Sequence, residues 1–196
     1  MTASHTRKHD DGQVRCRWPG NDQQYIDYHD SEWGVPVFGD KEIFERISLE
    51  GFQAGLSWIT ILRRREEFRK AFKNFEIAKV ARFSESQIEK LMQNEGIIRN
   101  RAKIVSTVKN AGLVLRMQAE GISVSDLVWS FAPRQKLLPA SRFEWRVTTA
   151  ESDALSRELK RLGFGFVGST TMYALMQATG LVNDHAPGCF RRKELT

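Results

Sequence analysis

A chain of 196 residues can form one domain with a real core, or two small lobes, and little more. Hydrophobic residues make up 41% and charged residues 28%, which excludes wholesale disorder, and no apolar run approaches the ~20 residues of a spanning helix. Lys and Arg number 30 against 24 Asp and Glu; the net charge of +6 suits a polyanionic partner but also many enzymes that meet none.

The opening stretch, residues 1–13, is polar and short of large apolar side chains, and reads as a frayed tail. It lacks the apolar stretch of a secretion signal, so a cytoplasmic protein is expected. From residue 14 to 190 no linker, repeat or low-complexity tract interrupts the chain, which points to a single domain, with 191–196 as a short C-terminal tail. Asp40 is placed to cap a helix carrying Ile43, Ile47 and Ala54 at helical spacing. A second helix is expected after Ser57, with Ile61, Phe68 and Phe72 on one face. The basic residues beside it, Arg63, Arg64, Arg65, Arg69, Lys70 and Lys73, are interspersed with Glu66 and Glu67 and read as a solvated face.

Ser84 and Gln87 have the spacing of a capping box ahead of Ile88, Leu91 and Met92, with Gly96 as a stop. Ile104, Val108, Ala111 and Leu115 form an amphipathic stripe. Residues 126–131 suggest a short helical turn. Thr149 is placed to cap a helix carrying Ala154, Leu155, Leu159 and Leu162, ended by Gly163. A last helix is expected from Thr170 to Thr179, stopping at Gly180. Period-two alternation is scarce throughout, so the fold class is mainly α.

Both cysteines of the chain sit beside a histidine in sequence, Cys16 ahead of His29 and Cys189 four residues after His185. Two thiolates and two imidazoles are the ligand set of a closed, tetrahedral structural zinc site. Lone buried thiols and solvated imidazoles are the alternative on spacing alone. A disulfide is not expected in a reducing compartment. Were a site to form, four protein ligands would leave no open position for water, so the metal would be structural.

Glu50 falls on the stripe of Ile43 and Ile47, which would turn a carboxylate toward the core, next to two glycines in the segment Leu49-Glu50-Gly51-Phe52-Gln53-Ala54-Gly55. Either the helix ends near Gly51 and Glu50 is exposed, or the carboxylate belongs to a pocket. Trp18, Tyr25, Tyr28 and Trp33 crowd the region before it and Trp58 follows; such side chains form a core or sandwich a planar heterocycle. Further on, Gly163-Phe164-Gly165-Phe166-Val167-Gly168-Ser169-Thr170 reads as a Gly-rich turn between helices. It is either an ordinary helical corner or a clamp whose free N–H groups hold a DNA backbone.

Several longer motifs are more specific. Tyr28-His29-Asp30-Ser31-Glu32-Trp33-Gly34-Val35-Pro36, Leu49-Glu50-Gly51, Gln53-Ala54-Gly55-Leu56-Ser57-Trp58-Ile59-Thr60, Gly96-Ile97-Ile98-Arg99, Gly163-Phe164-Gly165-Phe166-Val167-Gly168 and Leu181-Val182-Asn183-Asp184-His185 closely resemble the type I 3-methyladenine DNA glycosylases. These belong to the helix-hairpin-helix glycosylase superfamily, and the resemblance runs from about Arg15 to Cys189.

The resemblance implies a helix-hairpin-helix fold in which a structural Zn²⁺ on Cys16, His29, His185 and Cys189 ties the two ends together. It implies that Glu50 and Tyr28 hydrogen-bond the methylated base, that Trp58 stacks on it, and that Tyr25, Trp33 and Trp18 complete an aromatic wall. Glu50 would be the catalytic residue. Gln53 and Leu56 fall where residues intruding into the duplex are expected, and Gly165, Val167, Gly168, Ser169 and Thr170 where the hairpin holds DNA.

The implied activity is excision of 3-methyladenine from double-stranded DNA by base flipping and hydrolysis of the N-glycosidic bond, by a monomer with no obligate protein partner and no membrane association. Asp184 lies near the place of the superfamily's catalytic Asp but adjoins a proposed zinc ligand, so its role stays open. The departures from the family pattern, the residues before Arg15 and the stretch Arg142-Phe143-Glu144-Trp145-Arg146, touch none of these motifs. A DNA-structure binder without chemistry and a zinc hydrolase are the rival classes. A glycosylase for oxidised bases would want a Lys after the hairpin, and residues 169–177 contain none.

Overall fold

A computed structural model of the chain describes residues 5–134, 137 and 139–195. Two short strands, β1 (Thr6–Lys8) and β2 (Val14–Cys16), pair antiparallel with Thr6 opposite Cys16 and Lys8 opposite Val14. The rest of the described chain is helix and connection: α1 (Gln23–Ser31), α2 (Asp40–Gln53), α3 (Trp58–Leu62), α4 (Arg65–Ala71), α5 (Ile77–Val80), α6 (Glu85–Met92), α7 (Arg101–Ala119), α8 (Val124–Trp129), α9 (Ala150–Arg161), α10 (Ser169–Ala178) and α11 (Phe190–Glu194). Single 3-10 turns occur at Lys73–Phe75 and Ala140–Arg142. The fold is mainly α, as the sequence indicates. Among the described residues no helix is long and apolar enough to cross a membrane.

Local side chains cap the start of several helices. The Asp22 carboxylate accepts from the backbone N–H of Tyr25 and starts α1. Ser84 and Gln87 close the expected capping box of α6, and Thr149 with Ser152 closes one on α9. Asp40 departs from expectation. Gly39 occupies the cap of α2, and the Asp40 carboxylate instead accepts from Ser123 Oγ and the Ser125 N–H, stitching α2 to the start of α8.

The expected single helix after Ser57 is two. α3 stops at Leu62 and α4 begins at Arg65, which turns Phe68 into the core beside Phe52, with ring centroids 4.6 Å apart. Phe72, Phe75, Phe44, Ile43, Ile47, Ile61 and Ile104 fill that core. α2 lies at its centre and packs on α3, α7, α8 and α10.

Neither end of the described chain frays. Thr6–Lys8 belongs to the hairpin, where Arg15 chelates Asp11 and Asp30. The C-terminal segment forms α11, whose buried Arg192 donates to the His185 carbonyl while its own carbonyl accepts from Asn183. The tails expected at 1–13 and 191–196 are therefore structured over residues 5–13 and 191–195; residues 1–4 and Thr196 lie outside the described set.

Candidate active site and metal centre

The stripe Ile43, Ile47, Glu50 stays helical to Gln53, so Glu50 is carried inward on the last turns of α2 and is only 3% exposed. Its Oε2 is buried without a hydrogen-bond partner. Burial lifts its pKa from 4.5 to about 8, against a smaller opposing pull from Arg46. Gly51 explains why a weak helix former follows: a Cβ there would lie 3.2 Å from the Cβ of Phe166, so α2 and the turn before α10 meet at a distance only glycine permits comfortably.

Glu50 faces a cavity of about 270 Å³. Every expected base-contacting side chain is on its wall: Trp18, Tyr25, Tyr28, Trp33 and Trp58, with Gln53 at one side. The rings meet at steep angles. Trp18 stands edge-on to Tyr25 and Trp33 at 4.7 and 5.1 Å, and Tyr28 lies tilted against Trp58 at 5.4 Å. The walls thus brace one another and leave a gap for a flat guest. Burial raises the pKa of the Tyr28 phenol far above its usual range and that of Tyr25 to about 12, so both keep their protons. The indole Nε1 atoms of Trp18 and Trp58 are, like Glu50 Oε2, buried with no partner. Three orphaned polar atoms among the expected wall residues call for a ligand that bonds to them.

Leu56 is not on this wall. It is 43% exposed and lines an adjoining opening of about 160 Å³ with Ala54, Gly55, Thr170 and Thr171, which shares Glu50, Gln53 and Ala174 with the main cavity. Five side chains complete the cavity that the sequence did not flag: Trp145, Arg146, Ala174, Gln177 and Ala178. The stretch at 142–146, expected to touch no motif, thus supplies two wall residues. Asp184 lies behind them. It accepts from the Tyr173 hydroxyl and from Gln177 Nε2 (2.9 Å), and Arg146 approaches it at 3.6 Å. Asp184 is buried and holds cavity-lining side chains in place; it does not itself line the cavity.

The turn between α9 and α10 is tied down from inside. The N–H and carbonyl of Gly165 are both bonded to the Asn110 amide, and the Val167 carbonyl accepts from Ser156 Oγ. Val167 is buried. Both backbone groups of Gly165 and the carbonyl of Val167 are thus bonded inside the protein, and both positions shape the turn. Gly168, Ser169 and Thr170 differ: Gly168 precedes α10 and offers it no side-chain cap, which leaves the first N–H groups of the helix without one beside the exposed Thr170. The basic run after α3 is a solvated, paired face, with Arg63 on Asp22, Arg65 on Glu32, Arg69 on Glu45 and Glu66, and Lys70 on Glu67.

On the far side of Trp33, Cys16, His29, His185 and Cys189 converge, all buried, with their ligating atoms within 4.8 Å of one another. His29 Nδ1 donates to Asp30 (2.7 Å) and His185 Nε2 donates to the Trp33 carbonyl (3.0 Å), so His29 Nε2 and His185 Nδ1 face inward as acceptors. Those nitrogens are 3.2 Å apart, and three of the four nitrogen–sulfur distances are 3.5, 3.5 and 3.8 Å. A tetrahedral ion with bonds of about 2.0–2.1 Å to nitrogen and about 2.3 Å to sulfur needs edges of about 3.3 Å and about 3.5–3.6 Å. The side chains present fit such an ion. The cluster also favours thiolate at Cys189, which takes a hydrogen bond from the Cys16 thiol, while the shared proton and burial push Cys16 up.

Comparison with known proteins agrees with this geometry. The methyladenine glycosylase family matches the chain over residues 18–192. DNA-3-methyladenine glycosylase 1 of Escherichia coli (strain K12) is 49% identical over 177 residues, which cover 89% of this chain and 95% of the relative. A crystal structure of 3-methyladenine DNA glycosylase I superposes with a TM-score of 0.86 at 49% identity, covering 90% of this chain and 98% of that one. A further structure, a Tyr-to-Phe variant of 3-methyladenine DNA glycosylase I in complex with 3-methyladenine, superposes at 0.81 with 33% identity over 91% of this chain and 97% of its own. Since that match spans nearly the whole length, including every residue of the aromatic cavity, the chain belongs to the methyladenine glycosylase family.

Proposed function

We propose that the chain is a DNA-3-methyladenine glycosylase of type I, which flips 3-methyladenine out of alkylated double-stranded DNA and hydrolyses its N-glycosidic bond, opening base excision repair. The observation that carries the reading is the buried, unpartnered Glu50 carboxyl in a cavity walled by aromatic rings. A base methylated at this position is cationic within the nucleotide, so its bond to the sugar is already weak. The site then needs recognition and a polarised wall more than a strong acid.

Burial outweighs the pull of Arg46 and keeps the proton on Glu50; a cationic base against it favours the carboxylate. That carboxylate pairs with the base, stabilises positive charge on the sugar as the bond breaks, and orients the attacking water. The Tyr28 hydroxyl adds a hydrogen bond, Trp58 stacks, and Tyr25, Trp33 and Trp18 close the wall and exclude water. Gln53 and Leu56, at the adjoining opening, fill the gap in the duplex. The α9–α10 unit acts as a helix-hairpin-helix, in which Gly168, Ser169 and Thr170 bind phosphate at the start of α10 while Gly165 and Val167 hold the turn.

Cys16, His29, His185 and Cys189 hold a structural Zn²⁺, whose fit to the donor distances supports the assignment. The ion ties the hairpin and α1 to the segment before α11. The enzyme works as a cytoplasmic monomer without an obligate protein partner. Incubation with methylated duplex DNA, followed by chromatography of released bases, is expected to yield 3-methyladenine; release of 7-methylguanine alone, or of no base, contradicts the reading.

A further inference from the structure

Arg146 stands where the base cavity opens into a second, larger groove. It lines both the cavity and the neighbouring space of about 420 Å³, whose other walls include Arg134, Thr149, Glu151 and Val182. The guanidinium is steadied on one side only. It lies over the Tyr173 ring at 5.6 Å and 3.6 Å from Asp184, longer than a hydrogen bond, while the other Asp184 oxygen is taken by Tyr173 and Gln177. Its Nε is buried with no partner. A planar fork anchored from behind, with a donor unused, is arranged to receive an acceptor. That acceptor is not the base: a cationic heterocycle beside a guanidinium is repelled, and Glu50 already supplies the opposite charge. What remains within reach of a flipped nucleotide and carries negative charge is its backbone.

We propose that the groove running from the cavity past Arg146 to Arg134 takes the phosphodiester backbone of the damaged strand, with Arg146 contacting the phosphate beside the flipped nucleotide. This is a second backbone contact, distinct from the start of α10. It is supplied by the 142–146 segment, which departs from the family motifs and is braced by the N-terminal hairpin region: His5 packs edge-on against Phe143 and Trp145 at 5.2 and 6.0 Å. Asp184 acts through Arg146 as a positioning residue. Glu151, at the start of α9 on the groove's wall, keeps the track from being uniformly basic.

The inference rests on the glycosylase reading, and its test is separable from the test of that reading. Binding of two probes is compared for the full-length protein: a duplex carrying a tetrahydrofuran abasic analogue, followed by anisotropy over a salt series, and free 3-methyladenine, followed by tryptophan quenching. Arg146→Gln is expected to weaken duplex binding about tenfold and to lower the salt slope by about one, and Arg134→Ala, which lies outside the base cavity, to weaken duplex binding while free-base binding stays at the wild-type value. Arg146→Lys restores the slope. Arg134→Ala, at an exposed position, lowers the slope whatever Arg146 replacements do to the fold. Unchanged duplex affinity and slope in Arg146→Gln and Arg134→Ala, or an equal loss for duplex and free base in Arg134→Ala, would overturn the proposal. Failure of the wild-type chain to release a base would instead contradict the glycosylase assignment.

Discussion

Glu50 shows how one residue can oppose the fold that holds it. A carboxyl at a core position of α2 with an unpaired oxygen is costly, and it meets the cost by staying protonated to about pH 8. Between pH 4.5 and about 8 the unfolded chain has lost this proton and the folded chain retains it. The unfolded state binds fewer protons over that window, so the group's contribution to stability falls as pH rises and levels off above the folded-state value. Each pH unit costs at most about 1.4 kcal/mol, and the whole window is on the order of a few kcal/mol. Glu50→Gln removes the titration. Its melting temperature should therefore exceed that of the wild type by a margin that widens from pH 5 to pH 8; a margin independent of pH would show that Glu50 is ionised in the fold. Tyr28 and Trp58 stand beside it on the cavity wall, their ring centroids 5.4 Å apart.

Elements differ in how far they can be read from sequence. The caps at Ser84 and Thr149 and the stripe of α7 were legible because their causes are local: a side chain bonds a backbone N–H three residues away, or apolar residues recur once per turn. Tyr28, Glu50 and Trp58 were legible for a similar reason, since they cluster within short motifs on α1, α2 and α3. The break between α3 and α4 was not, because both halves continue a helical pattern and only the demand of the Phe core turns the chain. The β1–β2 hairpin was hidden among polar residues; Arg15, Asp11 and Asp30 and the pull of Cys16 into the cluster order it, and none of these contacts shows as periodicity. Asp40 had the right chemistry for a cap and uses it on a neighbouring helix 83 residues along. Trp145, Arg146 and Gln177 reach the cavity from segments far beyond Glu50 in the chain, so only tertiary packing could bring them there.

At the scale of the molecule, two ligands from each end of the chain meet in one buried cluster beside Trp33, which is also a wall of the base cavity. A metal there closes a loop that contains almost every helix. By analogy with disulfide loop entropy it would add on the order of 5 kcal/mol, or about 10–20 °C in melting temperature for a chain of this size. Metal analysis should find one zinc per chain, and stripping it with a strong chelator should lower the melting temperature by about that amount. Cys189→Ala should lose the ion and melt early. A metal-free chain that melts like the untreated protein would remove the ion from the account. Below its lowered melt the stripped chain should still release base, because the proposed chemistry runs through Glu50 and the aromatic wall.

That division of labour makes Glu50 the point on which the account stands. The most direct measurement is the rate of 3-methyladenine release from methylated duplex DNA by Glu50→Gln, with the melting curve of the same preparation beside it. The account predicts at least about a hundredfold loss of release in a chain that melts at or above the wild-type temperature. Release at the wild-type rate from that folded variant would contradict it.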